Sequence, residues 1–218
     1  MKIFLDSANI KEIEEINNLG IIDGITTNPS LVAKNKYDFR STISNICKII
    51  RSDVSVEVTA NDYENMIAQA NSLMTIADNI VIKLPMTWDG LKACKQISSD
   101  GIKVNMTLCF SANQALLAAK ARATYISPFI GRLDDIGQDG MMLIKDIRRI
   151  YDNYKDDFQT KILAASIRSP NHVYLSALHG ADIATISGKI IKQLLGHPLT
   201  TSGLEVFNKD WIESKLEI

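Results

Sequence analysis

Ile80-Val81-Ile82-Lys83-Leu84-Pro85 is the run on which the reading of this chain turns. Side chains alternate across a strand, so Ile80, Ile82 and Leu84 share one face while Val81, Lys83 and Pro85 share the other. Short β-branched runs of the same kind recur along the chain: Lys2 to Asp6, Gly24 to Thr27, Val54 to Val58, Ile80 to Leu84 itself, Lys103 to Cys109, Thr124 to Ile130, Lys161 to Ala165 and Ala181 to Ile186. Between them lie stretches with the apolar spacing of helices, such as Ile10, Ile13 and Ile16, then Met66, Ala70, Leu73 and Ala77, and later Ile144, Ile147, Ile150 and Tyr151. Strands joined only through helices run parallel and are covered on their outer face, and eight such units is the number that closes into a ring. The expectation is an α/β protein: a (β/α)8 TIM barrel, residues 1–218 as a single domain, with an extra C-terminal helix over about 201–216. The rival, an open doubly wound sheet, would carry a Gly-rich turn after its first strand, and Asp6-Ser7-Ala8-Asn9 is not one.

The composition narrows the function. Among 218 residues, 24 Lys and Arg balance 25 Asp and Glu, for a net charge of −1 with 46% hydrophobic positions. Without a basic cluster there is little to exchange for the counterions of a phosphate backbone, which argues against nucleic acid and anionic membranes as partners. The N-terminus meets an acid at Asp6 before any secretory h-region forms, and no apolar run reaches the roughly 18 residues of a spanning helix, so a cytoplasmic protein is expected. Cys47, Cys94 and Cys109 form no Cys-x-x-Cys and read as buried, reduced thiols. Helix starts are marked at Ser7 or Asn9, Asp62, Asp89, Ser111 and Ser169-Pro170. After Gly196-His197-Pro198, a last segment sets Leu204, Phe207, Trp211 and Ile212 on one face, which needs an apolar surface on its own barrel or on a neighbouring subunit.

Barrel enzymes place their chemistry at the carboxyl ends of the strands, so polar residues on inward-facing positions are the candidates. If Ile80, Ile82 and Leu84 meet the helices, Lys83 points inward. Two readings of it stand. Desolvation lowers a lysine from its free pKa of about 10.4 and frees an amine that attacks carbonyls, or the lysine is salt-bridged to an interior carboxylate. Glu57, in Val54-Ser55-Val56-Glu57-Val58, supplies that carboxylate next door. Asp6 and Asn28 end the first two strands, Asn105 and Thr107 lie two apart in the fifth, and Ser127 and Phe129 stand in the sixth with Arg132 just beyond. Short neutral hydrogen-bonders of this kind suit a polyhydroxylated ligand. Ser166 and Arg168 follow the seventh strand at a helix N-terminus, the usual phosphate position of barrels, although either arginine could instead form a surface ion pair. His172, His179 and His197 lie away from strand ends, no zinc spacing occurs, and Asp134, Asp135 and Asp139 lack the order of a calcium loop.

Taken together, Phe4-Leu5-Asp6-Ser7-Ala8-Asn9, Gly24-Ile25-Thr26-Thr27-Asn28-Pro29-Ser30, Val54-Ser55-Val56-Glu57-Val58, Ile82-Lys83-Leu84-Pro85, Val104-Asn105-Met106-Thr107-Leu108-Cys109-Phe110-Ser111, Ser127-Pro128-Phe129-Ile130-Gly131-Arg132 and Ala164-Ala165-Ser166-Ile167-Arg168 resemble the transaldolases, in the short subfamily that also contains fructose-6-phosphate aldolase. The resemblance runs from Asp6 to about Pro198, with every segment in order on successive strands. It implies a pentose phosphate pathway enzyme that moves a dihydroxyacetone unit from sedoheptulose 7-phosphate to glyceraldehyde 3-phosphate, giving erythrose 4-phosphate and fructose 6-phosphate, without cofactor or metal.

By the same resemblance, Lys83 is the Schiff-base lysine, Glu57 the carboxylate that works with a bound water, Asp6 the base at the sugar hydroxyl, and Thr107 the residue that positions the water. Asn28, Asn105 and Ser127 would hold the dihydroxyacetone hydroxyls, and Arg132, Ser166 and Arg168 the phosphate. Short members are expected to form homo-oligomers, pentameric rings that pair into decamers, with the C-terminal helix reaching a neighbour. Fructose-6-phosphate aldolases, the alternative, typically carry Gln at the position of Glu57 and Tyr at that of Phe129; this chain has the transaldolase choice at both. A non-catalytic sugar-phosphate-binding barrel is the reading from another class.

Overall fold

The computed structural model of the protein describes residues 1–34 and 38–217. Its elements in chain order are β1 (Lys2–Asp6), α1 (Ile10–Asn17), β2 (Gly24–Thr26), α2 (Pro29–Ala33), α3 (Phe39–Ile49), β3 (Val54–Glu57), α4 (Tyr63–Met74), β4 (Ile80–Pro85), α5 (Trp88–Ser99) and β5 (Val104–Cys109). There follow α6 (Ala112–Lys120), β6 (Tyr125–Pro128), α7 (Ile130–Asp134), α8 (Gly140–Asn153), β7 (Lys161–Ala164), α9 (Pro170–Leu178), β8 (Ile183–Ile186), α10 (Gly188–Leu195) and α11 (Pro198–Ser214). Every strand pairs in parallel with its sequence neighbours, and β1 pairs with β8, so the sheet closes into the (β/α)8 barrel expected from the alternation.

Two cores result. Val56, Ile80, Ile82 and Leu84 belong to the large cluster between strands and helices. Inside the ring a smaller cluster of Phe4, Val81, Tyr125, Leu163, Ala165 and Ile183 plugs the barrel. The residue two positions further along several of these strands is polar: Asp6 follows Phe4, Lys83 follows Val81, Ser127 follows Tyr125, and Thr185 follows Ile183. The period of two therefore carries the interior from an apolar layer to a polar layer at the carboxyl mouth. Below the plug, the Tyr125 hydroxyl donates to Asp53 at 2.5 Å, and Lys103 pairs with the same carboxylate at 2.8 Å.

The helix starts refine the reading in two places. The Asn9 side chain, not that of Ser7, caps α1 by accepting from the Lys11 and Glu12 N–H groups, while the Ser7 hydroxyl donates to the Glu12 carboxylate. Asp89 is not the cap of α5. Thr87 takes that place by accepting from Gly90 N–H, and Asp89 falls in the first turn, where an acid suits the helix dipole. Asp62, Ser111 and Ser169 cap as expected.

Boundaries move where backbone chemistry decides them. β6 ends at Pro128 rather than Ile130, because the chain turns into the short α7 and Phe129 keeps only an isolated bridge to Ala165. The C-terminal helix starts at Pro198 rather than near 201 and ends at Ser214, since proline at its first turn needs no N–H partner and the His197 ring accepts from Leu199 N–H. None of its residues is buried, and Phe207 and Ile212 are more than two-thirds exposed (71% and 75%). Cys47, Cys94 and Cys109 are buried free thiols; burial pushes the first two up to about 11 and the third up to about 12, so thiolate chemistry is suppressed. Among the described residues no helix is long and apolar enough to cross a membrane.

Gly24 makes room for the plug. A Cβ there would stand 2.6 Å from the Phe4 ring and 2.7 Å from the Asp53 carbonyl oxygen. Gly24→Ala is expected to lower the urea midpoint, with overpacking costs of about 1–3 kcal/mol and backbone contact placing it toward the upper end. An unchanged midpoint would mean that the plug yields freely.

Candidate active site

The polar layer opens into a cavity of about 250 Å³ at the carboxyl mouth, lined by Lys83, Asp6, Asn28, Ser127, Phe129, Arg132, Ser166 and Arg168 of the expected residues, and also by Thr26, Thr185 and Ser187. Lys83 is 4% exposed. Its ammonium nitrogen lies 2.9 Å from Glu57 Oε2 and donates to the Thr27 carbonyl oxygen at 3.0 Å. Glu57 and Lys83 are register partners on β3 and β4, so the pairing follows from strand order. Of the two readings left open by the sequence, the interior ion pair is therefore present, and it sits on the wall of a cavity. Glu57 itself does not line this cavity but a neighbouring recess, with Thr27 and Asn28.

Asp6 faces the same cavity from β1 and accepts from the Thr26 hydroxyl at 2.9 Å. Burial pushes its carboxyl above the ordinary 3.8; the Thr26 hydrogen bond and the Lys83 ammonium pull it back, and the Glu57 and Glu12 carboxylates add to the rise. A carboxyl that holds its proton more tightly than usual, yet faces a cationic amine, is suited to exchange protons with a bound hydroxyl.

Beside Lys83, from its register partner Asn105 on β5, runs a belt of neutral hydrogen bonds. Ser127 Oγ donates to Asn105 Oδ1 at 2.7 Å, and Asn105 Nδ2 donates to Ser55 Oγ at 3.2 Å. Asn105 is wholly buried and does not line the cavity, so it reaches the mouth through Ser127. Thr107 is also wholly buried, and its hydroxyl has no hydrogen-bond partner among the described residues. It precedes Leu108, whose left-handed backbone (φ 59°) marks a bulge where the β5–β6 register shifts. Asn28 uses its side-chain oxygen to cap α2 through Leu31 N–H, which leaves its amide nitrogen for the cavity.

The far side is cationic. Arg168, after β7, pairs with Asp135, after the neighbouring β6 and α7, at 2.9 Å, with both side chains more than half exposed. Arg132 lies over the Phe129 ring at 5.0 Å, and that ring meets Phe110 edge-on at 6.0 Å. Ser166 adopts a left-handed backbone (φ 58°), held by Gly131 N–H donating to its carbonyl oxygen at 3.1 Å. A Cβ at Gly131 would stand 2.2 Å from that oxygen and 2.6 Å from Arg168 Cγ, so glycine is what lets the two loops close over each other. The His172 ring also ties them, accepting from Arg168 N–H and lying 3.1 Å from Asp134.

The sequence reading missed Thr26, Thr185, Ser187 and Ser55. For the threonines a signal was available: Thr26 and Thr185 occupy the inward period of their strands, two residues beyond Gly24 and Ile183. Threonine is also an ordinary strand former, and so it attracted no notice.

The raised Asp6 pKa carries a stability consequence. The folded protein binds this proton more tightly than the unfolded chain, so ionised Asp6 opposes folding above its folded-state pKa; the penalty declines as pH falls from there toward the ordinary value of 3.8 and is gone below it. Asp6→Asn is expected to raise the urea midpoint at pH 7, with the gain shrinking as pH falls toward 4. Equal midpoints at every pH would show that Asp6 is as well solvated in the fold as outside it.

Comparison with known proteins gives the same answer from another direction. The family model for transaldolase/fructose-6-phosphate aldolase matches residues 3–217. The chain is 59% identical over 218 residues to a "Probable transaldolase" of Brucella anthropi, covering both chains in full. It is 58% identical over 210 residues to a "Probable transaldolase" of Ruegeria sp., covering 96% of each, and 56% identical over 218 residues to one of Sinorhizobium medicae, again in full. Among solved structures, inosine 5' monophosphate dehydrogenase from Legionella pneumophila superposes at a TM-score of 0.59 and 15% identity, over 87% of this chain and 58% of that one, a likeness that speaks for the fold alone. A match from residue 3 to residue 217, with relatives near 58% identity over almost their whole length, makes the chain a member of the transaldolase/fructose-6-phosphate aldolase family.

Proposed function

We propose that the protein is a transaldolase that carries a dihydroxyacetone unit on Lys83 from sedoheptulose 7-phosphate to glyceraldehyde 3-phosphate. The reading is carried by one observation: Lys83 Nζ is buried 2.9 Å from Glu57 and opens onto the cavity that Asp6 also faces. Attack on a ketose C2 needs a neutral amine, and Glu57 is within reach to take the proton from Nζ. The resulting carbinolamine loses its hydroxyl as water when Glu57 returns that proton, leaving a cationic imine on Lys83.

Asp6 then removes the proton of the C4 hydroxyl. The C3–C4 bond breaks, its electron pair enters the imine to give a neutral enamine, and the aldehyde departs. When the acceptor aldehyde arrives, the enamine carbon attacks its carbonyl and Asp6 gives the proton back to the new alkoxide. Water then hydrolyses the imine, with Glu57 shuttling protons and Thr107 holding the water through its unpartnered hydroxyl.

Ser127 and Asn28 bind the dihydroxyacetone hydroxyls in this reading, and Asn105 fixes Ser127 from behind. The phosphate lies between Arg132, Arg168 and Ser166, where two guanidiniums converge on one rim. Glu57 and Phe129 favour transfer over release, because a Tyr hydroxyl at position 129 would help protonate and free the three-carbon unit. On the same reading the chain is one barrel domain working in the cytoplasm within the pentose phosphate pathway, and the exposed apolar residues of α11 are subunit contacts of a pentameric ring or its decamer.

The test is chemical trapping. Incubation with fructose 6-phosphate followed by borohydride should add one reduced three-carbon unit per chain, located at Lys83 by peptide mapping and absent in Lys83→Met. A sugar-phosphate-binding barrel would keep its mass. Erythrose 4-phosphate should accelerate consumption of fructose 6-phosphate by orders of magnitude; splitting to free dihydroxyacetone at a comparable rate without an acceptor would make the protein a fructose-6-phosphate aldolase instead.

A further inference from the structure

Asp6 stands between two strands that each bring a threonine to it. β2 pairs with β1 so that Thr26 is the register partner of Asp6, and β8 pairs on the other side with Thr185 opposite Phe4. Thr26 Oγ1 lies 2.9 Å from Asp6 Oδ1 and 2.5 Å from Thr185 Oγ1. Both threonines are nearly sealed from solvent, at 3% and 5% exposure. A carboxylate has no proton to give, so Thr26 donates its single proton to Asp6, and the Thr185 hydroxyl donates in turn to Thr26. We propose that Thr185 and Thr26 are positioning residues, a directed hydroxyl chain that holds Asp6 ionised with Oδ1 occupied and Oδ2 left for the sugar hydroxyl. The proposal rests on the reading of Asp6 as the base.

The chain answers a problem that the site creates. A base at a sugar hydroxyl must be ionised near neutral pH, and burial works against that for Asp6. The charged groups facing it do not settle the matter alone: Lys83 from β4 favours the carboxylate, whereas Glu57 from β3 and Glu12 from α1 oppose it, and Arg132 and Arg168 stand across the cavity. Lys83 loses its charge whenever its amine is free to attack, so its support lapses at that stage. A hydroxyl donor does not change charge during turnover, and a second hydroxyl behind it polarises the first and strengthens its bond to the carboxylate. Thr26 thus keeps a constant orientation through the cycle.

Carboxyl carbon NMR of aspartate-labelled protein tests this, with the Asp6 resonance assigned by its loss in Asp6→Asn. Thr26→Val should raise the Asp6 titration midpoint by about one pH unit, the scale of one charge-assisted hydrogen bond. Thr185→Val should raise it by less, and Thr26→Ser should keep the wild-type midpoint. The acid limb of kcat/KM for transfer from fructose 6-phosphate should move in the same order. A midpoint that stays put or falls in either valine variant overturns the chain. Should Asp6→Asn retain transfer, the assignment of Asp6 as base fails, whatever the titrations show; the two failures are thereby distinguishable. Thr185→Val carries the test if Thr26→Val does not fold.

Discussion

Removing an ammonium and a carboxylate from water together is the constraint around which this barrel is arranged. Each ion alone loses several kcal/mol of hydration on burial, and their attraction repays this only with good geometry and further hydrogen bonds. Lys83 meets those terms with Glu57 on one side and the Thr27 carbonyl on another. The lower half of the ring makes the arrangement possible: Phe4, Val81, Leu163 and Ile183 fill it with apolar side chains, and the Tyr125 hydroxyl there reaches Asp53 beneath. Stability and chemistry are thus separated along the barrel axis by two residues of strand.

The surroundings of that pair are built asymmetrically. Their neutral side is rigid, since Ser127, Asn105 and Ser55 tie β6, β5 and β3 into one hydrogen-bonded belt. Their cationic side is made of loops, and the left-handed Ser166 stores about 1–2 kcal/mol of backbone strain that Gly131 and its N–H hold in place. Arg168, meanwhile, is engaged by Asp135, an exposed pair of the kind that contributes little to stability. It can therefore be exchanged for a ligand phosphate at small expense. On the proposed reading, the fixed wall would hold the three-carbon unit and the adaptable one would accept the phosphates of different sugars.

Most of this was legible in the sequence, because the interior of a barrel imposes a period of two. Lys83 and Glu57 stood out as charges in apolar runs, and strand order alone made them neighbours. What escaped notice follows from ambiguity of a definite kind. Thr26 and Thr185 serve the strand as well as the site, so their residue type does not betray the second role. Thr87 and Asp89 both cap helices in general, and only the geometry of the turn after Pro85 selects the first. Ser166 has an ordinary side chain in an unusual backbone, which nothing in the local sequence marks. Asn28 was read as a ligand to hydroxyls, yet half of its amide is committed to α2.

Closure of the ring has a further consequence for how the chain is made. Lys2 to Leu5 take their outer hydrogen-bonding partners from Ile183 to Ile186, at the opposite end of the sheet in chain order. As the polypeptide leaves the ribosome, its first strand carries an open edge until the last one has emerged, and so long-range pairing comes late. Nascent chains are consequently most vulnerable to edge-to-edge association just before β8 emerges.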